Sequence, residues 1–220
     1  MSDWAVVFDL DGTLIDSLPD IAYAANSVLQ DEGLSALPEE IVGTFVGLGE
    51  EVFVDRLIAT TSLDPKDRDR VLAGFMAHYE KATDRTRLMP GAEAALGALA
   101  RRGFRIGLCT NKPTRPLNAV LAALGIADHF GSIVAGDRLP VRKPDPAPLS
   151  LCLSELGARR CVFVGDGEAD AAVARAAGVP FVRFFGGTPH GPAAEITGDA
   201  SFSDYRHLEG IVDALTDGEA

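Results

Sequence analysis

Five short apolar runs, each parted from the next by a segment long enough for a helix, constrain this chain more than any other feature. They are Ala5-Val6-Val7-Phe8, Phe104 to Cys109, Ser132 to Ala135, Cys161 to Val164 and Phe181 to Phe184. Compact runs of this kind, the first β-branched and ending in a carboxylate-rich turn, are the pattern of buried strands. Because strand and helix alternate, the sheet is expected to be parallel. Helix ends are legible as well. Thr114 stands before Arg115-Pro116 and Asp145 before Pro146, as N-terminal caps do, while Gly103, Gly125, Gly157 and Gly178 fall just past helical runs.

One stretch breaks the alternation. Between Asp16 and Arg87 no strand-like run occurs, and several helices follow one another. Ser17-Leu18-Pro19-Asp20 reads as a capping box opening the first. Others start near Pro38 and Gly49, and a last one runs from Asp64-Pro65 to about Lys81. The simplest division is an α/β core of residues 1–15 and 88–220 with a helical insertion, residues 16–87, after the first strand. Its hinges are expected near Ile15 to Ser17 and Arg87 to Gly91. The acidic end, Thr216 to Ala220, is expected to fray.

Bulk properties narrow the function classes. A chain of 220 residues, 47% hydrophobic and 24% charged, can bury a sizeable core. Its formal charge of −12, with no run of more than two basic residues, disfavours nucleic acid or an anionic membrane as partner. Asp3, Asp9 and Asp11 interrupt the first apolar stretch, so no signal peptide is read there. No uncharged apolar run approaches a membrane span, and a cytoplasmic enzyme is expected. Cys109, Cys152 and Cys161 lack CxxC spacing and read as core thiols. His78, His129, His190 and His207 are too dispersed for a local metal cluster and are assigned structural or surface roles.

The polar residues that remain cluster at strand ends. The first strand runs into Asp9-Leu10-Asp11-Gly12-Thr13, and the second into Thr110-Asn111-Lys112-Pro113. Lys143-Pro144 precedes a helix, and a later strand ends in Gly165-Asp166-Gly167-Glu168-Ala169-Asp170. In an open parallel sheet, ligands bind beyond the carboxyl ends of the strands, so all four segments are expected around one crevice. Alone, each is an ordinary turn or a solvated charge. Lysine is scarce, with four against sixteen arginines, and Lys112 and Lys143 both fall in the crevice. Asp166 and Asp170, four apart, are expected to share a face in the first turn of a helix.

In order, DLDGTLIDS, CTNKP, RKPDP and VGDGEAD resemble the four motifs of the haloacid dehalogenase superfamily, across essentially the whole chain. VGLGEEVFVDRL and LCTNKPT are most similar to its bacterial phosphoglycolate phosphatase branch. The resemblance implies a Rossmann-like, doubly wound parallel core with an α-helical cap. It also implies Mg²⁺-dependent hydrolysis of a small phosphorylated metabolite, 2-phosphoglycolate above others, through an aspartyl-phosphate. Asp9 would be the nucleophile and Asp11 the general acid, then base. Gly12, Thr110, Asn111 and Lys143 would hold the phosphoryl group, with Lys143 also restraining Asp9. Asp9, the Asp11 carbonyl and Asp166 would ligate Mg²⁺, with Asp170 behind them orienting a metal-bound water or Lys143.

Gly167 departs from the pattern, standing where a Ser or Thr is common. In the cap, Gly47, Gly49, Glu50 and Arg56 are candidates for substrate contact, with a plain interhelical turn as the alternative. Other readings stay open: phosphoryl transfer to a sugar as in β-phosphoglucomutase, another small-metabolite phosphatase, or a non-catalytic Mg²⁺-dependent phospho-ligand sensor. Attack on carbon, as in a dehalogenase, has no need of Asp11 and a Mg²⁺ site. A dinucleotide enzyme lacks its GxGxxG. A monomer or a homodimer fits equally well.

Overall fold

The computed structural model describes residues 3–186 and 196–216. Its elements are β1 (Trp4–Phe8), β2 (Ile15–Asp16), α1 (Leu18–Asp31), α2 (Glu39–Gly43), α3 (Glu50–Thr60), α4 (Arg68–Tyr79) and β3 (Arg87–Leu88). They continue with α5 (Ala92–Arg101), β4 (Arg105–Cys109), α6 (Thr114–Leu124), β5 (Ser132–Val134), α7 (Ala147–Leu156), β6 (Arg160–Gly165), α8 (Glu168–Ala177), β7 (Phe181–Phe184), β8 (Ala200–Phe202) and α9 (Leu208–Thr216). Six strands form one parallel sheet in the order β5-β4-β1-β6-β7-β8. This is the α/β, doubly wound, Rossmann-like architecture the alternation and the motifs anticipate.

The two-residue period of a strand decides which core each side chain joins. Val6 and Phe8 enter one layer with Leu96, Leu99, Leu117, Val120 and Val212, from α5, α6 and α9. Ala5 and Val7 enter the other with Leu149, Cys152, Val173 and Ala174, from α7 and α8. Full burial of such a side chain stabilises by roughly 1.5–3 kcal/mol. The three thiols are free and buried, and burial pushes Cys152 up to about 11 and Cys161 up to about 12. Among the described residues no helix is long and apolar enough to cross a membrane.

The helices between β2 and β3 pack on a cluster of their own, including Ile21, Leu29, Val54, Leu57 and Val71. A row of rings runs through it. Phe45 meets Phe53 edge-on at 5.7 Å, Phe53 stacks on Phe75 at 4.6 Å, and Phe75 stacks on Tyr79 at 5.1 Å. The two connecting segments pair antiparallel, Ile15 with Leu88 and Asp16 with Arg87.

Several local expectations need correction. The Ser17–Asp20 capping box does not form: Ser17 is at the N-cap, but its hydroxyl donates to Asp11 Oδ1 at 2.5 Å. Asp20 is likewise diverted, its Oδ2 accepting from the N–H groups of Arg85 (3.0 Å) and Thr86 (2.7 Å) and from the Thr86 hydroxyl (2.7 Å). Tertiary partners outbid the local cap, and Asp20 ties the outgoing segment to the returning one. Thr114 is the first residue of α6 rather than its cap, because its N–H and hydroxyl both donate to Asp137. Asp145 is not the cap either: Pro146 holds that position, and Asp145, one residue earlier, accepts from the Ala147 N–H at 2.8 Å. Strand β8 lacks the apolar run that marks the others, and β2 and β3 are too short to show a period. His190 and the tail beyond Thr216 lie outside the described residues.

Candidate active site

The chain turns outward where β1 has β4 on one side and β6 on the other, the point at which parallel sheets of this kind open a crevice. Asp9 follows β1 and is anchored there by its N–H, which donates to the Val164 carbonyl at 2.9 Å. The turn after it is glycine-dependent on two counts. Gly12 has φ +82°, and a Cβ there would sit 2.5 Å from Asp166 Oδ2. Thr13 continues the turn, its hydroxyl donating to Asp166 Oδ1 at 2.8 Å.

Lys143 is the hub beneath Asp9. Its ammonium lies 2.9 Å from Asp9 Oδ1 and 2.7 Å from Asp170 Oδ1, with only 2% of the side chain exposed. Burial alone lowers its proton affinity, but Asp170 and Asp9 more than reverse this, and Lys143 stays charged. The other Asp170 oxygen accepts from the N–H groups of Asp166 (3.2 Å) and Gly167 (3.0 Å). Asp166 is therefore not in the first turn of α8, as its spacing suggests. It precedes the N-cap Gly167, and Asp170 folds back to meet it.

Oxygens of Asp9, Asp166 and Asp170 lie within 4.8 Å of one another. Burial, and after it the Asp170 carboxylate, push Asp9 up from 3.8 to about 6. The same causes hold Asp166 well above its usual range. Three carboxylates against one ammonium leave an excess of negative charge in a buried place, which a divalent cation relieves. An all-oxygen donor set suits a hard ion such as Mg²⁺. Since both Asp170 oxygens are engaged by Lys143 and the main chain, Asp9 and Asp166 are the carboxylates able to face an ion.

Asp11 is held separately. Ser17 and Lys112 both donate to its Oδ1, the latter at 2.9 Å, and the Lys112 ammonium also contacts the Tyr79 hydroxyl. Two carboxylates two residues apart thus sit in different settings. Asp9 is within the acidic cluster, and Asp11 is paired with its own cation. Of the turn after β4, the Thr110 hydroxyl accepts from the Lys112 N–H at 3.2 Å. The Asn111 amide, a candidate for holding phosphoryl oxygens, has its nitrogen donating to the carbonyls of Gly47 and Lys143, 3.0 Å each, and its oxygen accepting from the Lys143 N–H at 2.9 Å. Its side chain is a brace across the seam between sheet and insertion.

Over these groups the insertion closes a cavity of about 290 Å³, walled by Ile21, Val46, Leu48, Phe53 and Phe75. Gly47, Gly49, Glu50 and Arg56 all line it. Arg142 Nη1 and Nη2 donate to the two Glu50 oxygens at 2.9 and 3.3 Å. Gly49 has φ +91°, and a Cβ there would fall 1.9 Å from Arg142 Nη1. Arg56 donates to the Thr44 carbonyl at 2.9 Å.

Ser17, Tyr79, Arg142 and Tyr205 were not legible as site residues. Tyr205 is buried and donates to the Thr13 carbonyl at 2.7 Å, supporting the turn from 192 positions away. Its one signal in the sequence is a tyrosine in an otherwise polar stretch.

Comparison with known proteins places this geometry in company. A family model described as haloacid dehalogenase-like hydrolase matches residues 5–178. A phosphoglycolate phosphatase of Cereibacter sphaeroides (strain ATCC 17029) is 42% identical, covering 96% of this chain and 98% of its own. One of Rhodospirillum rubrum is 44% identical, over 93% and 88%. Among solved structures, a predicted phosphoglycolate phosphatase from Haemophilus somnus superimposes with a TM-score of 0.89 at 32% identity, over 96% of this chain and 99% of that one.

Proposed function

The chain belongs to the haloacid dehalogenase-like hydrolases, and from that premise we propose that it is a Mg²⁺-dependent phosphatase of small phosphorylated metabolites, with 2-phosphoglycolate as substrate. The observation that carries this reading is the separate holding of Asp9 and Asp11 at one cavity floor. Asp9, oriented by Lys143, attacks phosphorus, and the phosphorus–ester oxygen bond breaks. The leaving oxygen takes a proton from Asp11. Water then attacks the aspartyl-phosphate, gives a proton to Asp11, and releases phosphate with Asp9 restored. Lys143 supplies a fixed positive charge beside the transferring group.

When bound, Mg²⁺ supplies charge neutralisation for the phosphate approaching Asp9. Asp9, Asp166 and the Asp11 carbonyl would hold it, with Asp170 keeping Lys143 and the Asp166 main chain in place. Residues 16–87 act as a cap that excludes bulk water. The subfamily choice is supported by relatives at 42% and 44% identity that carry the phosphoglycolate phosphatase name.

The test is phosphate release from a panel of phosphomonoesters, comparing kcat/KM, with and without Mg²⁺. The expected result is a preference for 2-phosphoglycolate, abolished by chelation and restored by Mg²⁺. Activity that survives chelation defeats the mechanism. Flat, low rates for every ester, with label passing to a sugar hydroxyl, replace hydrolysis by phosphoryl transfer.

A further inference from the structure

Lys112 places an ammonium in the wall of the cavity, and the reaction above uses none of its charge. Its side chain is 3% exposed, a costly position for a cation unless it is paired. Its partners come from both sides of the seam: Asp11 Oδ1 at 2.9 Å from the core, and the hydroxyl of Tyr79, whose ring centre lies 4.4 Å from the nitrogen, from the end of α4. An ammonium has three N–H donors. Asp11 and Tyr79 engage two, which leaves one for a ligand.

Position then selects the ligand. To protonate the leaving oxygen, Asp11 must touch it, so whatever is bonded to the adjoining carbon arrives beside Asp11 and therefore beside Lys112. Of the other charged groups here, Glu50 is paired with Arg142 and Lys143 with Asp9 and Asp170, while Arg56, on the insertion, donates to the Thr44 carbonyl. The remaining wall is largely apolar or acidic, and Lys112 is the lining cation that touches Asp11.

We infer that Lys112, oriented by Tyr79, is the specificity-determining residue. It recognises a carboxylate one carbon removed from the ester oxygen, which makes 2-phosphooxy carboxylates the substrate class. This rests on the proposed hydrolysis. It adds a residue and a rule: the acid that protonates the leaving group and the cation that selects its carboxylate are hydrogen-bonded to each other.

The experiment compares kcat/KM for 2-phosphoglycolate and for 2-hydroxyethyl phosphate, which has the same length without the carboxylate, in wild type, Lys112→Met, Lys112→Arg and Tyr79→Phe. Lys112→Met is expected to cut the preference for 2-phosphoglycolate by roughly 10- to 100-fold, the loss of a charge-assisted hydrogen bond, mainly through KM. Lys112→Arg keeps part of the preference. Tyr79→Phe, which retains the ring stack, loses several-fold. If Lys112→Met lowers both esters equally, Lys112 serves Asp11 alone and the inference falls while hydrolysis stands. Should Lys112→Met not fold, an unchanged preference in both Lys112→Arg and Tyr79→Phe overturns it as well. A wild type that cleaves neither ester removes the hydrolase reading and the inference together.

Discussion

Asp170 beyond β6 and Glu50 at the seam with the helical insertion line the same cavity, but the charged groups around them are held in opposite ways. Lys143 and Asp170 are 2% and 3% exposed, and they bond to each other, to Asp9 and to the main chain around Asp166. Across the seam, Arg142 and Glu50 are 28% and 14% exposed. The first set is too buried to separate without stranding a charge, whereas the second is open enough for water and salt to compete. Asp9 is thus held by partners that cannot be separated without stranding a charge, and the seam by a pair that can.

The comparison breaks most visibly at Asp9. Asp9→Asn is expected to lower kcat by roughly 10⁴-fold or more while circular dichroism stays unchanged. Residual turnover near wild type would show that the strand-end set is structural. Phe75→Ala tests the other region: removing the ring stacked between Phe53 and Tyr79 is expected to cost about 3–5 kcal/mol. Hydrogen exchange should speed up across α1 to α4 and stay slow in β1, β4 and β6. Uniform acceleration would mean that the insertion has no stability of its own.

A pH experiment sharpens the strand-end side. In metal-free protein the folded Asp9 carboxyl titrates near 6 against 3.8 when unfolded. The unfolded chain therefore loses this proton first, and the Asp9 contribution to stability falls as pH rises from about 3.8 to about 6. The expected size is on the order of 2–3 kcal/mol. Thermal melts of wild type and Asp9→Asn should diverge as pH rises from about 3.8 to about 6, with the variant more stable and the gap level above that, and converge when Mg²⁺ is added. A gap that does not change between about pH 3.8 and about 6 would remove the argument that excess carboxylate charge is what a cation relieves. The smallest effect belongs to the seam. Glu50→Gln is expected to raise KM only a few-fold, since a partly exposed pair contributes about 1 kcal/mol or less. Rising ionic strength should bring wild type toward the variant, and a salt-independent difference would assign Glu50 a direct contact with substrate.

Much of the site was legible because its residues sit next to strand ends. Asp9 follows Phe8, Thr110 follows Cys109, and Asp166 follows Gly165, so recognising a buried strand located the carboxylate or hydroxyl beyond it. What escaped were partners remote in the chain. Ser17 reads as a cap and Asp20 as its complement, yet Asp11 and Thr86 claim them. Asp11 meets Lys112 across 101 positions, and Arg142 meets Glu50 across 92. Periodicity reports local geometry and carries nothing at such separations.

By itself the sequence determined the parallel sheet, the helical interruption between Asp16 and Arg87, and the order in which the reactive turns appear. These follow from apolar period and from turn chemistry, which act over a few residues. Only the tertiary structure decided that Asp9 and Asp11 would have different partners, that Asp170 would fold back on Asp166, and that Tyr79 would reach Lys112. Each depends on a buried charge finding its counter-charge, and in a low-dielectric interior that requirement overrides the local preference of the residue that carries it.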